Sequence, residues 1–248
     1  MHKQSFSSVF NEQFPPKLLI VAPTSRELGN GHKVLPIKGV HWGKLGIGHV
    51  AIQNLELLLN EFSPGIIISM GFAGATVEKL ATGSIVVCTN FICEEGGAQI
   101  ADQSILSPHL IITRQISNAV FGPLLTVKRP LLTPEAKQFA GEKSGALAAD
   151  MEGYDIAKIA YTRGIPLISI RVILDELHYK LPSLVDKIIS DKNGHEWRHI
   201  IKSINVVPKE VFKLIGLAFL ARKAQKSLAK ALSDMRYELE KYITEDGK

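Results

Sequence analysis

Residues 64–75 read PGIIISMGFAGA. Ile66, Ile67, Ile68 and Met70 follow Pro64–Gly65 with only Ser69 among them. A strand with one wet face alternates apolar and polar side chains. A run without alternation is apolar on both faces and belongs in a sheet covered on both sides. The segment Gly71–Phe72–Ala73–Gly74 reads as a glycine turn closing that strand. Working outward, residues 18–22 (LLIVA) and 165–173 (IPLISIRVI) are runs of the same buried type. Residues 84–92 and 124–129 read as further strands. In 34–44, Val40 and Trp42 alternate against His41 and Gly43. Between the strands lie an amphipathic helix over 49–62 and another over 151–163. A third helix opens with Thr133 as cap and Pro134 at its first position. A short helix is expected over 184–189, capped by Ser183. Strands alternating with helices predict an α/β fold. The expectation is a single domain with a mixed central β-sheet flanked by helices and a C-terminal helical extension. Residues 1–16 read as a loose leader, 17–207 as the domain and 208–248 as the basic helical extension.

The 248 residues carry a formal charge of +5, much of it in the last third at Lys202, Lys209, Lys213, Arg222, Lys223, Lys226 and Lys230. A nucleic-acid binder shows a denser basic face with interleaved aromatics, so no nucleic-acid partner is expected. Cys88 and Cys93 are five apart, on opposite faces of a strand, without metal or disulfide spacing. They read as small buried hydrophobes in a reducing cytoplasm. The N-terminus has no continuous apolar segment of signal-peptide type, and no apolar stretch is long enough to span a bilayer. The eight histidines are dispersed, His41 and His49 reading as structural, so neither a metal nor a cofactor is expected.

In α/β sheets, ligands collect at the carboxyl ends of strands. Glu27, the Gly71–Gly74 segment, Asp150–Met151–Glu152 and Asp175 all fall there. Each has a plain alternative. Glu27 on a loop is ordinarily a solvated charge. Asp150 and Glu152 suit a helix cap, and Asp175 suits a cap or a surface acid. Brought to one edge, they form a site able to hold hydroxyls, activate water and donate a proton.

Six segments carry a family resemblance: LLIVAPTSREL, GKLGIGHVAIQNLELLL, PGIIISMGFAGA, TGSIVVCTNF, GALAADMEGYDIAKIA and PLISIRVILDEL. Together they resemble the purine nucleoside phosphorylase and methylthioadenosine/S-adenosylhomocysteine nucleosidase superfamily. The stretch GPLLTVKRPLLTPEAKQFAGEKSGALAADME and the basic helix after Pro208 resemble its hopanoid-associated subgroup, which is implied to release adenine from adenosylhopane. The resemblance implies a nucleoside phosphorylase-like fold and a small-molecule nucleoside substrate. It places Glu27 as the base that readies water and Glu152 as the carboxylate holding the ribose 2′ and 3′ hydroxyls. It places Met151 under the ribose and Asp175 as the acid protonating purine N7. Phe72, Ala73 and Gly74 line the ligand, and Leu131 stands where relatives offer an aromatic to the base. It also implies a homodimer. Gly153 replaces a small polar residue or alanine of the family, and Leu174 replaces the serine common before the acid.

The chemistry is coherent. The bond breaks through an oxocarbenium-like sugar, and the departing purine is a poor anion unless protonated. Asp175 must therefore hold a proton near neutral pH, which predicts a raised pKa from burial. A phosphorylase needs donors for phosphate. No arginine precedes the glycine segment, and Phe72 stands where many members place serine, which favours water. Arg26, next to Glu27, keeps phosphorolysis as the alternative. Two further readings stand beside these: a non-catalytic nucleoside- or lipid-binding protein, and a basic membrane-surface module. The tail helix carries Val211, Leu214, Ile215, Ala218 and Phe219 at three- and four-residue steps. That stripe serves either packing on the domain or a partner subunit, or peripheral contact with an anionic membrane. The expected location is cytoplasmic, with the inner membrane surface as its peripheral variant.

Overall fold

The computed structural model describes residues 18–97, 99–101, 108–186 and 208–245. The leader 1–16 lies outside them, as does the end of the helix expected over 184–189, of which 184–186 are helical. The strands are β1 (Leu18–Ala22), β2 (Val40–Lys44), β3 (Ile66–Ala75), β4 (Ile85–Cys93), β5 (Gln99–Ala101), β6 (Val120–Thr126), β7 (Ala148–Asp150) and β8 (Leu167–Asp175). The helices are α1 (Ser25–Leu28), α2 (Gly31–Val34), α3 (His49–Phe62), α4 (Pro108–Arg114), α5 (Pro134–Ser144), α6 (Gly153–Thr162) and α7 (Pro208–Glu245).

The sheet is mixed, in the order β2-β1-β3-β7-β6-β4-β5, with β8 pairing both β3 and β4. Strands β3, β8, β4, β6 and β7 therefore close a ring, because β7 returns to pair with the end of β3. The uninterrupted apolar runs follow from coverage of both faces. Leu18, Ile20, Ile66, Ile68, Met70, Ile168 and Ile170 pack in one cluster with residues of α4 and α7. Their alternates Leu19, Val21, Ile67, Leu167 and Ile173 pack in the other with α3 and α6.

Several boundaries move. The strand expected over 34–44 is confined to 40–44, after the turn of helix α2. The strand expected over 124–129 runs 120–126. The glycine segment 71–74 is not a turn but the second half of the ten-residue strand β3. The stripe expected on the tail helix is shifted as well. The side chains that enter the core are Ala221, Ala224, Leu228, Leu232, Met235, Leu239 and Ile243. Arg222, Lys223, Lys226 and Lys230 point to solvent, so the charged second half of α7 is the half that packs. Phe212, Ile215 and Phe219 stay exposed. Cys88 is buried and Cys93 half-buried, and neither is in a disulfide. No described helix is long and apolar enough to cross a membrane.

Candidate active site

Glu27 sits on α1, a single helical turn after β1, and local chemistry holds it there. Thr24 caps that turn. Its hydroxyl accepts from the Glu27 amide at 3.3 Å, while the Thr24 amide and hydroxyl donate to Glu27 Oε2 at 2.9 and 2.6 Å. This reciprocal capping box leaves Oε1 to accept from the Phe72 amide at 2.8 Å. Glu27 is buried, not solvated, and burial pushes its carboxyl above the ordinary range despite those bonds and the nearby Arg171.

The glycines of β3 owe their identity to the carboxylates beside them. A Cβ at Gly71 would lie 3.2 Å from Glu27 Oε1, and one at Gly74 would lie 3.2 Å from Asp175 Oδ2. Neither residue has positive φ. Close approach, not backbone freedom, is what calls for glycine here.

Asp150 and Glu152 divide the work that sequence left shared between them. Asp150 takes the cap: its carboxylate accepts from the Gly153 amide at 2.9 and 3.1 Å, from Thr126 Oγ1 at 2.8 Å and from Arg171 Nε at 2.8 Å. Residue 153 is glycine because a Cβ there would meet Leu124 at 2.4 Å and Asp150 at 2.8 Å. Glu152 makes no cap. Its Oε1 accepts from the Gly48 amide at 2.8 Å. Gly48 takes φ 61° at the start of α3, a left-handed conformation that aims this amide at the carboxylate. Burial, then the neighbouring Asp150 charge, pushes Glu152 up to about 8.

Asp175 ends β8, and a register shift sets its direction. Ala73 pairs with Ile173 but Gly74 pairs with Asp175, so Leu174 is an extra residue in that ladder. Such a bulge re-aims the side chain that follows it. Asp175 Oδ2 lies 2.5 Å from Lys137 Nζ, both side chains being almost fully buried. Burial raises the Asp175 pKa, and Lys137 opposes the rise.

Glu27, Glu152 and Asp175 line one cavity of about 710 Å³, together with Phe72, Ala73, Gly74, Leu131 and Met151. That volume lies in the upper half of the usual range for small-molecule sites, roughly 300–1,000 Å³. Apart from the carboxylates, Thr24, Arg26 and Lys137, the described wall is apolar, with Ile47, Leu181 and Val185 beside Leu214, Ile215, Leu217 and Ala218 of α7. Two supporting residues escaped the sequence reading. Arg171 stands in the middle of an apolar strand, where a charge requires a buried partner; it binds Asp150 and donates to Ser69 Oγ at 3.2 Å. Lys137 sits on α5 one turn before Gly141, itself buried against Thr76, a weaker signal of a buried helix face.

Residues 24–192 match the phosphorylase superfamily. The chain belongs to that superfamily. It is 27% identical over 172 residues to the 5′-methylthioadenosine/S-adenosylhomocysteine nucleosidase of Shewanella sp. (strain W3-18-1), covering 60% of this chain and 74% of the relative. It is 31% identical over 149 residues to the enzyme of that name from Staphylococcus saprophyticus, covering 52% and 65%. The corresponding nucleosidase from S. pneumoniae shares the fold at a TM-score of 0.62 and 19% identity, covering 88% of this chain and 98% of that one. Futalosine hydrolase of Helicobacter pylori does so at 0.65 and 17%, covering 90% and 98%. This superfamily member is thus an enzyme of the nucleosidase or nucleoside phosphorylase kind, and its mixed α/β domain has the phosphorylase-like architecture.

Proposed function

We propose that this chain hydrolyses the N-glycosidic bond of a 5′-substituted purine nucleoside, with water as nucleophile and an adenosine bearing a large apolar 5′ group as substrate. The observation that carries the reading is the set of three buried carboxylates on one cavity: Glu27, Glu152 and Asp175. Glu152 accepts the ribose hydroxyls, with Met151 beneath the sugar. Asp175 gives its proton to N7 as the C1′–N9 bond breaks and its electron pair goes to the purine. Glu27 takes a proton from the water that bonds to C1′. Its raised pKa suits a base working near neutrality.

The shortage of anion donors supports water over phosphate. Among the described residues, Arg26 and Lys137 are the cations on the cavity wall; Arg26 is solvent-exposed, and Lys137 already engages Asp175 Oδ2, Glu176 O and Tyr179 O. The apolar α7 wall supports a hydrocarbon 5′ group of the adenosylhopane kind. Exposed Phe212 and Phe219, with Arg222, Lys223 and Lys226 farther along the same helix, suit peripheral contact with an anionic bilayer. Exposed Val50 and Leu57 share one face of α3, and exposed Ile47, which lines the cavity, precedes that helix; these side chains suit the homodimer.

The test follows free base from methylthioadenosine, adenosine, inosine and a long-chain 5′-alkyl adenosine, with and without phosphate. Release without phosphate, fastest for the alkyl adenosine, is expected. Release only with phosphate would overturn the role of water. No release from any of the four would move the assignment to a binding protein.

A further inference from the structure

Lys137 is buried, with 1% of its side chain exposed, in a place where an unpaired ammonium would be very costly. Three oxygens lie against its ammonium, one in an ion pair and two accepting hydrogen bonds. One is Asp175 Oδ2 at 2.5 Å; the others are the carbonyls of Glu176 at 2.8 Å and Tyr179 at 2.7 Å. Both carbonyls belong to the turn that leaves β8 directly after Asp175. The ammonium therefore staples the carboxyl group to the backbone that follows it. It does so where Leu174, an apolar bulge residue, offers no side-chain hydrogen bond of its own. The α5 backbone that carries Lys137 is fixed by Thr133, whose hydroxyl accepts from the Ala136 amide at 3.2 Å.

We propose that Lys137 is the positioning residue of the leaving-group acid, orienting Asp175 and stabilising the carboxylate that forms as Asp175 gives its proton to the departing base. The inference rests on the acid role of Asp175 proposed above. The proton balance is simple. Before the step a neutral Asp175 carboxyl group faces the Lys137 ammonium. As the C1′–N9 bond breaks, the carboxyl proton moves to N7, and the new carboxylate forms an ion pair with an ammonium already in place. Lys137 keeps its own protons throughout. Solvent reprotonates Asp175 after the neutral base leaves. A cation fixed in advance where negative charge develops lowers the barrier without reorganisation during the reaction. Burial alone would make Asp175 a weak acid, and Lys137 offsets part of that effect.

The experiment compares Lys137→Met, Asp175→Asn and the double variant on two substrates with the same 5′-substituted ribose. One carries adenine, the other 4-nitrophenolate, which leaves without protonation. For the purine, Lys137→Met is expected to lower kcat by roughly 10²-fold, with KM changed far less. The alkaline limb of its kcat profile should move to higher pH, because Asp175 without its cation keeps its proton longer. The nitrophenyl substrate should be cleaved at near wild-type rate, and the double variant should be no slower than Asp175→Asn alone. A purely structural lysine would slow both substrates equally and leave the limb in place; either result overturns the inference. A further loss in the double variant would overturn it too. Should Asp175→Asn release adenine undiminished, the acid reading falls and this inference with it. Loss in Asp175→Asn beside a fully active Lys137→Met would sink the inference alone. If Lys137→Met does not fold, Lys137→Gln, which retains a donor for the turn carbonyls, reads the same limb.

Discussion

Replacing Glu152 with Gln tests the sugar-binding role through its pH dependence. The Glu152 carboxyl is pushed up to about 8, burial being the main cause and Asp150 the second. At pH 7 roughly nine-tenths of the empty enzyme therefore holds this proton. Ribose hydroxyls donate to the ionised form, so binding must expel the proton. One pH unit below the pKa corresponds to about 1.4 kcal/mol, or tenfold in affinity. The Kd of an uncleavable C-linked nucleoside is thus expected to fall roughly tenfold per unit between pH 6 and about 8 and then level off. Calorimetry at pH 7 in buffers of different ionisation heat should register about 0.9 proton released per ligand. Glu152→Gln should bind with no such slope and no such release. At pH 9 it should be weaker by at least ~10–150-fold, since one charge-assisted hydrogen bond contributes about 1.5–3 kcal/mol. Near pH 6 the two proteins should converge. Folding stability gives the opposite sign. The folded state holds the Glu152 proton more tightly than the unfolded chain, whose value is near 4.5. Wild-type stability is therefore lost relative to Glu152→Gln as pH rises from about 4.5 to about 8, by up to about 1.4 kcal/mol per unit. Parallel Kd curves for the two proteins, or binding without proton release, would refute the reasoning.

Asp175→Asn should cut base release by roughly 10²–10⁴-fold while the uncleavable nucleoside still binds, because only the proton is removed; full activity would remove the acid role. Gly71→Ala puts a methyl 3.2 Å from Glu27 Oε1 and 3.6 Å from Arg171 Nε, and should lower kcat with little change in Tm, because only the carboxylate end must shift. A normal kcat would show that the position of Glu27 does not matter. Arg171→Met leaves Asp150 buried without its cation and should cost about 3–5 kcal/mol in urea unfolding; a cost near zero would mean Thr126 and the Gly153 amide suffice. Leu217→Gln on the α7 wall should raise KM for a long-chain 5′-alkyl adenosine and leave methylthioadenosine nearly unchanged; equal effects on both would place the 5′ group elsewhere.

The strands were legible where both faces are covered, because LLIVA and GIIISM admit little else at that length. The end of GIIISM was not. Glycine in a sequence signals either a turn or a close neighbour, and the neighbours of Gly71 and Gly74 are carboxylates 44 and 101 residues away, at Glu27 and Asp175. The division between Asp150 and Glu152 was hidden for the same reason. It depends on Gly48, Thr126 and Arg171, which only the closed ring of strands brings together. Arg171 had a local signal, a charge inside an apolar strand. For Lys137 the sequence offered little, since a lysine on a helix is ordinarily solvated and its partner lies across the cavity wall.

Helix α7 joins the core to the cavity wall. Its second half buries Leu228, Leu232, Met235 and Leu239 completely. At about 1.5–3 kcal/mol each, these side chains contribute as much as the whole net stability of a typical domain. The helix cannot then be removed to ask what its first half does. Ala221 is the hinge between the two uses: it is buried with the core-facing stripe and also lines the cavity. Toward the N-terminus from Ala221, the same helical period turns Ala218, Leu217 and Leu214 to the cavity instead of the sheet. A continuous rigid helix thus anchors one end in the core and holds an apolar wall over the carboxylates at the other. On the proposed function, a wall so placed would exclude water from the 5′ side and leave Glu27 the one water that reacts. Hydrolysis of a nucleoside with an apolar 5′ group needs that separation, and a loop at this position would supply it less firmly.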